Sequence, residues 1–298
     1  MKINVLLILL LFSPLVVNAD LKVLACEPEW EALAIELGKD RIQASSATNA
    51  LQDPHYIQAR PSLISKVRNA DLIVCSGAQL EIGWLPMLLR KGNNPDATPG
   101  SPGFLEASQY VKRLDVSSGT DRSQGDVHPQ GNPHIQTNPH NILLVAEEMT
   151  NRMAQLDQTG AEFYRQNFAD FRQSWTRAIS TWEERASVLR GKRVIAHHKS
   201  WIYLENWLGL NEVATLEPVS GIPPTAGHLS SLLKRFGDGG ADFIIRAPFQ
   251  SEKPSKWLSE RTGIPAILLP LTVGGTDQAG DLFSWFDDII NRLLNAGT

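Results

Sequence analysis

The feature that most constrains the fold is one long stripe of apolar side chains in the middle of the chain. Phe163 or Tyr164, Phe168, Phe171, Trp175, Ile179, Trp182, Ala186 and Leu189 recur at three- and four-residue steps, which places them on one face of a continuous helix. A helix from Ala161 to Leu189 is roughly 40 Å long at about 1.5 Å per residue, enough to brace two domains. An ordinary amphipathic surface helix would carry the same stripe, so the flanking segments decide between the two readings.

Both flanks alternate short strand-like runs with helical ones. Before the stripe, the pattern predicts a strand over Leu21 to Cys26 and a helix from Trp30 to Leu37 closed by Gly38. A helix over Pro61 to Ala70, a strand over Asp71 to Cys75 and a helix beginning at Leu80 come next. The stretches 91–103 and 117–141 are rich in Gly, Pro and polar residues and read as loops. From Asn141 about fifty residues are helical, with a turn near Asp157 to Gly160. After Gly191 the alternation resumes, with strands at 193–196, 212–216, 243–246 and 266–271 and helices at 201–208, 228–236, 255–262 and 281–294. Such alternation predicts an α/β class with mainly parallel sheets. The expected division is 20–140 for a first α/β domain, 141–190 for linking helices and 191–298 for a second. A chain of 298 residues with 42% hydrophobic side chains has material for two cores.

The first nineteen residues read as a signal peptide: one charge at Lys2, an apolar run from Ile3 to Val17, and Val17-Asn18-Ala19 as a small-residue cleavage site. Ser13 and Pro14 interrupt the run, which falls short of the roughly 20 residues a span needs. Val23-Leu24-Ala25-Cys26 faintly resembles a lipid-attachment box, but Asp20 and Lys22 break the run such a box should follow. The expected product is a soluble chain starting at Asp20 and located in the periplasm. A net charge of −4 carries no basic footprint and excludes nucleic-acid binding. Cys26 and Cys75 each end a strand-like run, and either a disulfide or two buried thiols fits them, while a two-cysteine metal site is disfavoured because nothing places a third thiolate near them.

The seven histidines mostly sit in loops or at strand ends, where α/β folds place ligands. His55 lies in Asp53-Pro54-His55 and His134 in Asn132-Pro133-His134, turns in which proline fixes the backbone ahead of the imidazole. His198 follows a strand and precedes the helix opening at Trp201. Three rigidly presented imidazoles suit one tetrahedral ion. His140 at a helix start and His228 at a turn-to-helix junction read as structural.

These residues resemble the metal-binding receptors of zinc and manganese ABC importers, the cluster A-I or cluster 9 binding proteins. The resemblance covers nearly the whole mature chain. It includes Asp-Pro-His at 53–55, Glu81 and Trp84 in the strand and helix from Asp71, and Asn-Pro-His at 132–134 followed by Asn138-Pro139. It continues with His198 five residues before Tyr203, and with Glu217-Pro218 leading into Gly221-Ile222-Pro223-Pro224. The resemblance implies two Rossmann-like α/β domains joined by a long rigid helix, with the ion in the cleft between them. It carries three ligands to His55, His134 and His198. The fourth is expected in the loop 272–281, where Asp277 is favoured over Asp281 because Asp281 is placed to cap the last helix; water is the third option. Members that bind manganese tend to have an acid where this chain has His198, and three histidines with one carboxylate favour Zn2+; His197 could stand in for His198. The segment 125–131 resembles a reduced form of the histidine-rich loop of some members, with His128 either collecting zinc or simply solvated. The implied partners are an inner-membrane ABC permease and Zn2+ itself, with a periplasmic zinc chaperone as a candidate third and the receptor a monomer.

A zinc hydrolase is the runner-up, since three histidines with an open position also describe a catalytic site. There is no His-Glu-x-x-His helix and no Gly-x-Ser-x-Gly elbow. Glu217, the one tempting base, reads as a strand end. The first strand is followed by no Gly-x-Gly-x-x-Gly turn, which removes a dinucleotide enzyme. The expectation is a binding protein without catalysis, and an adhesin or zinc buffer on the same fold is the remaining alternative.

Overall fold

The computed structural model describes residues 20–116, 125–126 and 128–296. The expected signal peptide over 1–19 lies outside the described residues. No described helix is long and apolar enough to cross a membrane.

The first half is built on β1 (Leu21–Ala25), α1 (Pro28–Gly38), β2 (Ile42–Ser46), α2 (Pro61–Asn69), β3 (Leu72–Cys75), α3 (Leu85–Gly92) and β4 (Phe104–Glu106). Its four strands are all parallel, in the order β2-β1-β3-β4. Two long helices follow, α4 (Pro139–Leu156) and α5 (Ala161–Ala186), separated by a short turn over 157–160. The second half repeats the scheme with β5 (Arg193–Ala196), α6 (Ile202–Leu208), β6 (Asn211–Thr215), α7 (Ala226–Phe236), β7 (Phe243–Arg246), α8 (Glu252–Thr262), β8 (Ala266–Leu268) and α9 (Leu282–Ala296). Its sheet is also all parallel and has the matching order β6-β5-β7-β8. The protein is therefore α/β with two parallel-sheet units, as the alternation predicts.

Side-chain alternation along the strands sorts the core into layers. Val23 and Ala25 of β1, Val194 and Ala196 of β5, and Phe243 and Ile245 of β7 face one large apolar cluster. The intervening Leu24 and Ile73 face a second cluster under α2 and α3, while Ile195 and Ile244 face a third under α7 and α8. The large cluster runs without a break from α1 and α4 through α5 to α9. The expected stripe is its spine: Tyr164, Phe171, Trp175, Ile179, Trp182 and Ala186 are all buried. α5 packs on α4 and α1 on one side and on α9 on the other, so it braces both units. Leu189 is buried as well, but in a short 3-10 turn beyond the α-helix.

One local expectation changes, and two strands are added. β2 and β4 were not legible as strands. The segment from Leu80 to Trp84 is turn rather than helix, and α3 begins only at Leu85. Gly77, Ala78 and Gln79 all have positive φ there, which breaks the helical path.

Candidate metal centre

The ligand candidates come from loops at the carboxyl ends of the strands, where parallel sheets open a crevice. His55 lies after β2, His134 just before α4 and His198 two residues after β5. All three are buried. The structure brings one ring nitrogen from each within 4.8 Å of the others. Ring centroids are 5.4 Å apart for His55 and His134, 5.6 Å for His55 and His198, and 5.9 Å for His134 and His198. A tetrahedral zinc with bonds of about 2.1 Å needs nitrogens about 3.4 Å apart, so a small contraction completes the arrangement.

The two Asx-Pro-His turns use one device. The Asp53 carboxylate accepts the His55 backbone N–H at 3.0 Å, and the Asn132 side-chain oxygen accepts the His134 backbone N–H at 3.0 Å. Asp53 Oδ1 also lies 2.7 Å from His55 Nδ1, which leaves His55 Nε2, buried and without a hydrogen-bond partner, facing the cluster. Glu217 does the same for His198: its Oε2 lies 2.7 Å from His198 Nδ1 and also accepts the Gly221 backbone N–H at 2.8 Å. A ligand imidazole whose far nitrogen is fixed by a carboxylate is oriented and made more basic. Carboxylates fill this role for two histidines, and neither ring nitrogen of His134 has a hydrogen-bond partner. Glu217 is thus more than a strand end. It continues the pairing of β5 with β6, in which Ala196 faces Thr215, and so it arrives opposite His198.

The charge distribution suits a dication. Burial, together with the neighbouring His55, His198 and His128, pushes the His134 imidazole well below its usual range and keeps it neutral. At His198 burial acts downward, but the hydrogen bond and charge of Glu217, aided by Asp53 and Asp126, outweigh it and raise the pKa. At Asp53 burial acts upward and is outweighed by His55, so its pKa is lowered. Trp201 and Tyr203 pack the ligand loops and are buried. Tyr203 donates to the Asn132 carbonyl at 2.9 Å, and Asn132 Nδ2 donates to the Lys199 carbonyl at 2.7 Å, tying the His134 loop to the His198 loop across the cleft.

Asp277 is not brought to this cluster. It is exposed, because its neighbours are tied to α9: Thr276 donates to Asp288 at 2.6 Å and Gln278 accepts from Arg292 at 3.0 Å. Asp281 caps α9, accepting the Ser284 backbone N–H at 2.8 Å while its own N–H bonds the Ser284 hydroxyl. The His128 ring also lies close, its centroid 5.4 Å from that of His55. His197 is buried but outside the three-histidine group. His140 pairs with Glu183 at 2.8 Å and His228 with the Thr215 carbonyl at 2.9 Å, both structural as expected. Two open cavities flank the cluster. One of about 560 Å³ is lined by His55, Tyr56, Asp126 and His128, and one of about 430 Å³ by Asp53, His198, Glu217 and Phe249.

Residues 23–296 match the family model described as ZnuA, zinc-uptake complex component A, periplasmic. The chain belongs to this family. It is accordingly a metal-binding receptor of the transporter type and not an enzyme, and the hydrolase reading falls away. Among curated relatives, the metal ABC transporter substrate-binding lipoprotein SloC of Streptococcus mutans is 20% identical over 81% of this chain and 80% of its own length. The manganese ABC transporter substrate-binding lipoprotein PsaA of Streptococcus pneumoniae is 21% identical over 88% of this chain and 84% of its own. A crystal structure of ZnuA superposes with a TM-score of 0.79 at 20% identity, covering 94% of this chain and all of the other. A manganese-bound periplasmic metal-binding protein from Candidatus Liberibacter asiaticus gives 0.74 at 17% identity, covering 93% of this chain and 99% of the other.

Proposed function

We propose that this protein is the zinc receptor of an ABC importer, capturing Zn2+ in the periplasm and handing it to a membrane permease. The single observation that carries the reading is the convergence of His55, His134 and His198, one ring nitrogen from each lying within 4.8 Å of the others. Three imidazoles with no oxygen ligand in the group suit zinc, whereas manganese prefers a set richer in oxygen. The relatives named for manganese make manganese the competing cargo. His128 or a water takes the fourth position in this reading, since Asp277 is held away on the α9 side. Zinc enters through the open cavities, exchanges its water for imidazole and leaves by movement of the ligand loops rather than by closure of the two units. The receptor acts as a monomer, with Zn2+ and the permease as its partners and a zinc chaperone as a candidate feeder.

Calorimetric titration of the metal-free chain from Asp20 onward with Zn2+ and then Mn2+ tests this. One tight zinc site that outcompetes manganese and is abolished in each of His55→Ala, His134→Ala and His198→Ala is the expected outcome. A site indifferent to these histidines, or one that prefers manganese, overturns the zinc assignment.

A further inference from the structure

The sheet order β2-β1-β3-β4 reverses direction between β1 and β3, and the carboxyl ends of strands at such a reversal are where open α/β sheets hold ligands. Cys26 and Cys75 stand at this point, one following β1 and the other ending β3. They form a disulfide with a Cα separation of 4.8 Å. Their sulfurs and a carboxylate oxygen of Glu81 lie within 4.8 Å of one another, and all three residues are buried. Glu27 and Glu29 are buried beside them. Glu27 Oε2 accepts from the Ser76 hydroxyl at 3.0 Å. Glu81 accepts the Gly77 backbone N–H at 3.2 Å through both oxygens.

A buried carboxyl either pairs with a cation or is held toward its protonated form. Among the described residues no ion pair joins Glu27, Glu29 or Glu81 to a cation, and burial leads the upward shift of each acid. A cavity of about 290 Å³, lined by Cys75, Gly77, Glu81 and Glu106, gives access from the α3 side.

We propose that in the dithiol form Cys26, Cys75 and Glu81 hold a second Zn2+ ion. Two thiolates and one carboxylate oxygen are a three-ligand set of the kind zinc accepts with water in the fourth position. The chain is synthesised with thiols, so the dithiol form precedes the disulfide. From the disulfide, it is regained when an added dithiol transfers two electrons and two protons to the pair and becomes a disulfide itself. Zinc binding then forms two Zn–S bonds and one Zn–O bond, and releases the two thiol protons together with the proton of Glu81 where that carboxyl is protonated. A small-molecule disulfide that takes two electrons from the thiolate pair, and two protons from solvent to become two thiols, forms the Cys26–Cys75 S–S bond, removes both thiolate ligands and releases the ion. None of this depends on the histidine cluster.

The full mature chain, oxidised or reduced anaerobically with a phosphine, is loaded with Zn2+ and its metal content counted by native mass spectrometry. Cobalt loading runs in parallel, because a thiolate–cobalt bond gives a near-ultraviolet charge-transfer band. The reduced chain is expected to hold one ion more than the oxidised chain and to show the band. His134→Ala should keep the band, and Glu81→Gln should weaken only the second ion, by at least about tenfold as for loss of a ligating group. Equal metal content in both redox states, an extra ion without the band, or loss of the far-ultraviolet helical signal on reduction each overturns the proposal. If the histidine reading fails instead, the oxidised chain holds no ion while the reduced chain still gains the thiolate-bound one.

Discussion

Three Asx-Pro-His tripeptides occur in this chain, and the same local hydrogen bond does different work in each. At 53–55 and 132–134 it aims an imidazole into the cleft, whereas at 138–140 the Asn138 side chain caps α4 by accepting the His140 backbone N–H at 3.0 Å. The downstream residues make the difference, because only the third tripeptide opens directly into an α-helix. The carboxylates behind the ligands lead to a prediction. Glu217→Gln should bind zinc about 10- to 100-fold more weakly near neutral pH while keeping one site. Glu217 raises the His198 pKa, so protons begin to displace zinc from the native protein as pH falls through a value above the ordinary 6.5 or so. In the Gln variant that onset moves to lower pH, which competition with a chromogenic chelator across the acid range would reveal. An unmoved onset would mean that His198 is not a ligand. The three histidines were legible because proline and strand ends announce rigid presentation. The role of Glu217 was not, since nineteen residues separate it from His198 and only strand register joins them. Asp277 was misplaced for a related reason: the bonds of Thr276 and Gln278 to α9 leave no trace in sequence spacing.

At the scale of elements, α5 holds the arrangement together. Trp175 is fully buried, stacks on Phe171 with centroids 5.2 Å apart, and meets Trp182, Phe283 and Phe286 edge to face. Its indole N–H donates to the Pro139 carbonyl at 2.8 Å, so one side chain touches α4 and α9 together. Trp175→Ala should therefore cost about 3–5 kcal/mol of stability, measured by denaturant unfolding, and should lower zinc affinity far less than it lowers the midpoint. The stripe was visible because its 3.6-residue period survives over many turns. β2 and β4 were not: β2 reads Ile42-Gln43-Ala44-Ser45-Ser46 with one large apolar residue, and β4 has only three residues. Edge strands so polar or so short are specified by their neighbours β1 and β3 rather than by their own pattern. The turn at 77–84 misled because its composition suits a helix, while the buried bonds from Gly77 N–H to Glu81 favour a tighter path.

Over the whole molecule, the two units share one apolar cluster instead of meeting at a polar seam. The Glu29 carboxylate accepts from the Thr272 hydroxyl at 2.5 Å, adding a buried bond between the first turn of α1 and the loop before α9. Hinge closure would have to break this shared core, so the radius of gyration by solution X-ray scattering should not change on zinc loading; a contraction typical of two-domain clamps would contradict the rigid reading. The same continuity bears on how the chain comes to be folded. Residues that complete the packing of α1 and α5 arrive on α9, at the far end of the chain. A chain that emerges amino-terminus first therefore cannot close its first half until its last helix has appeared, and shortening it by that helix would leave an open apolar surface along both units rather than a smaller working receptor.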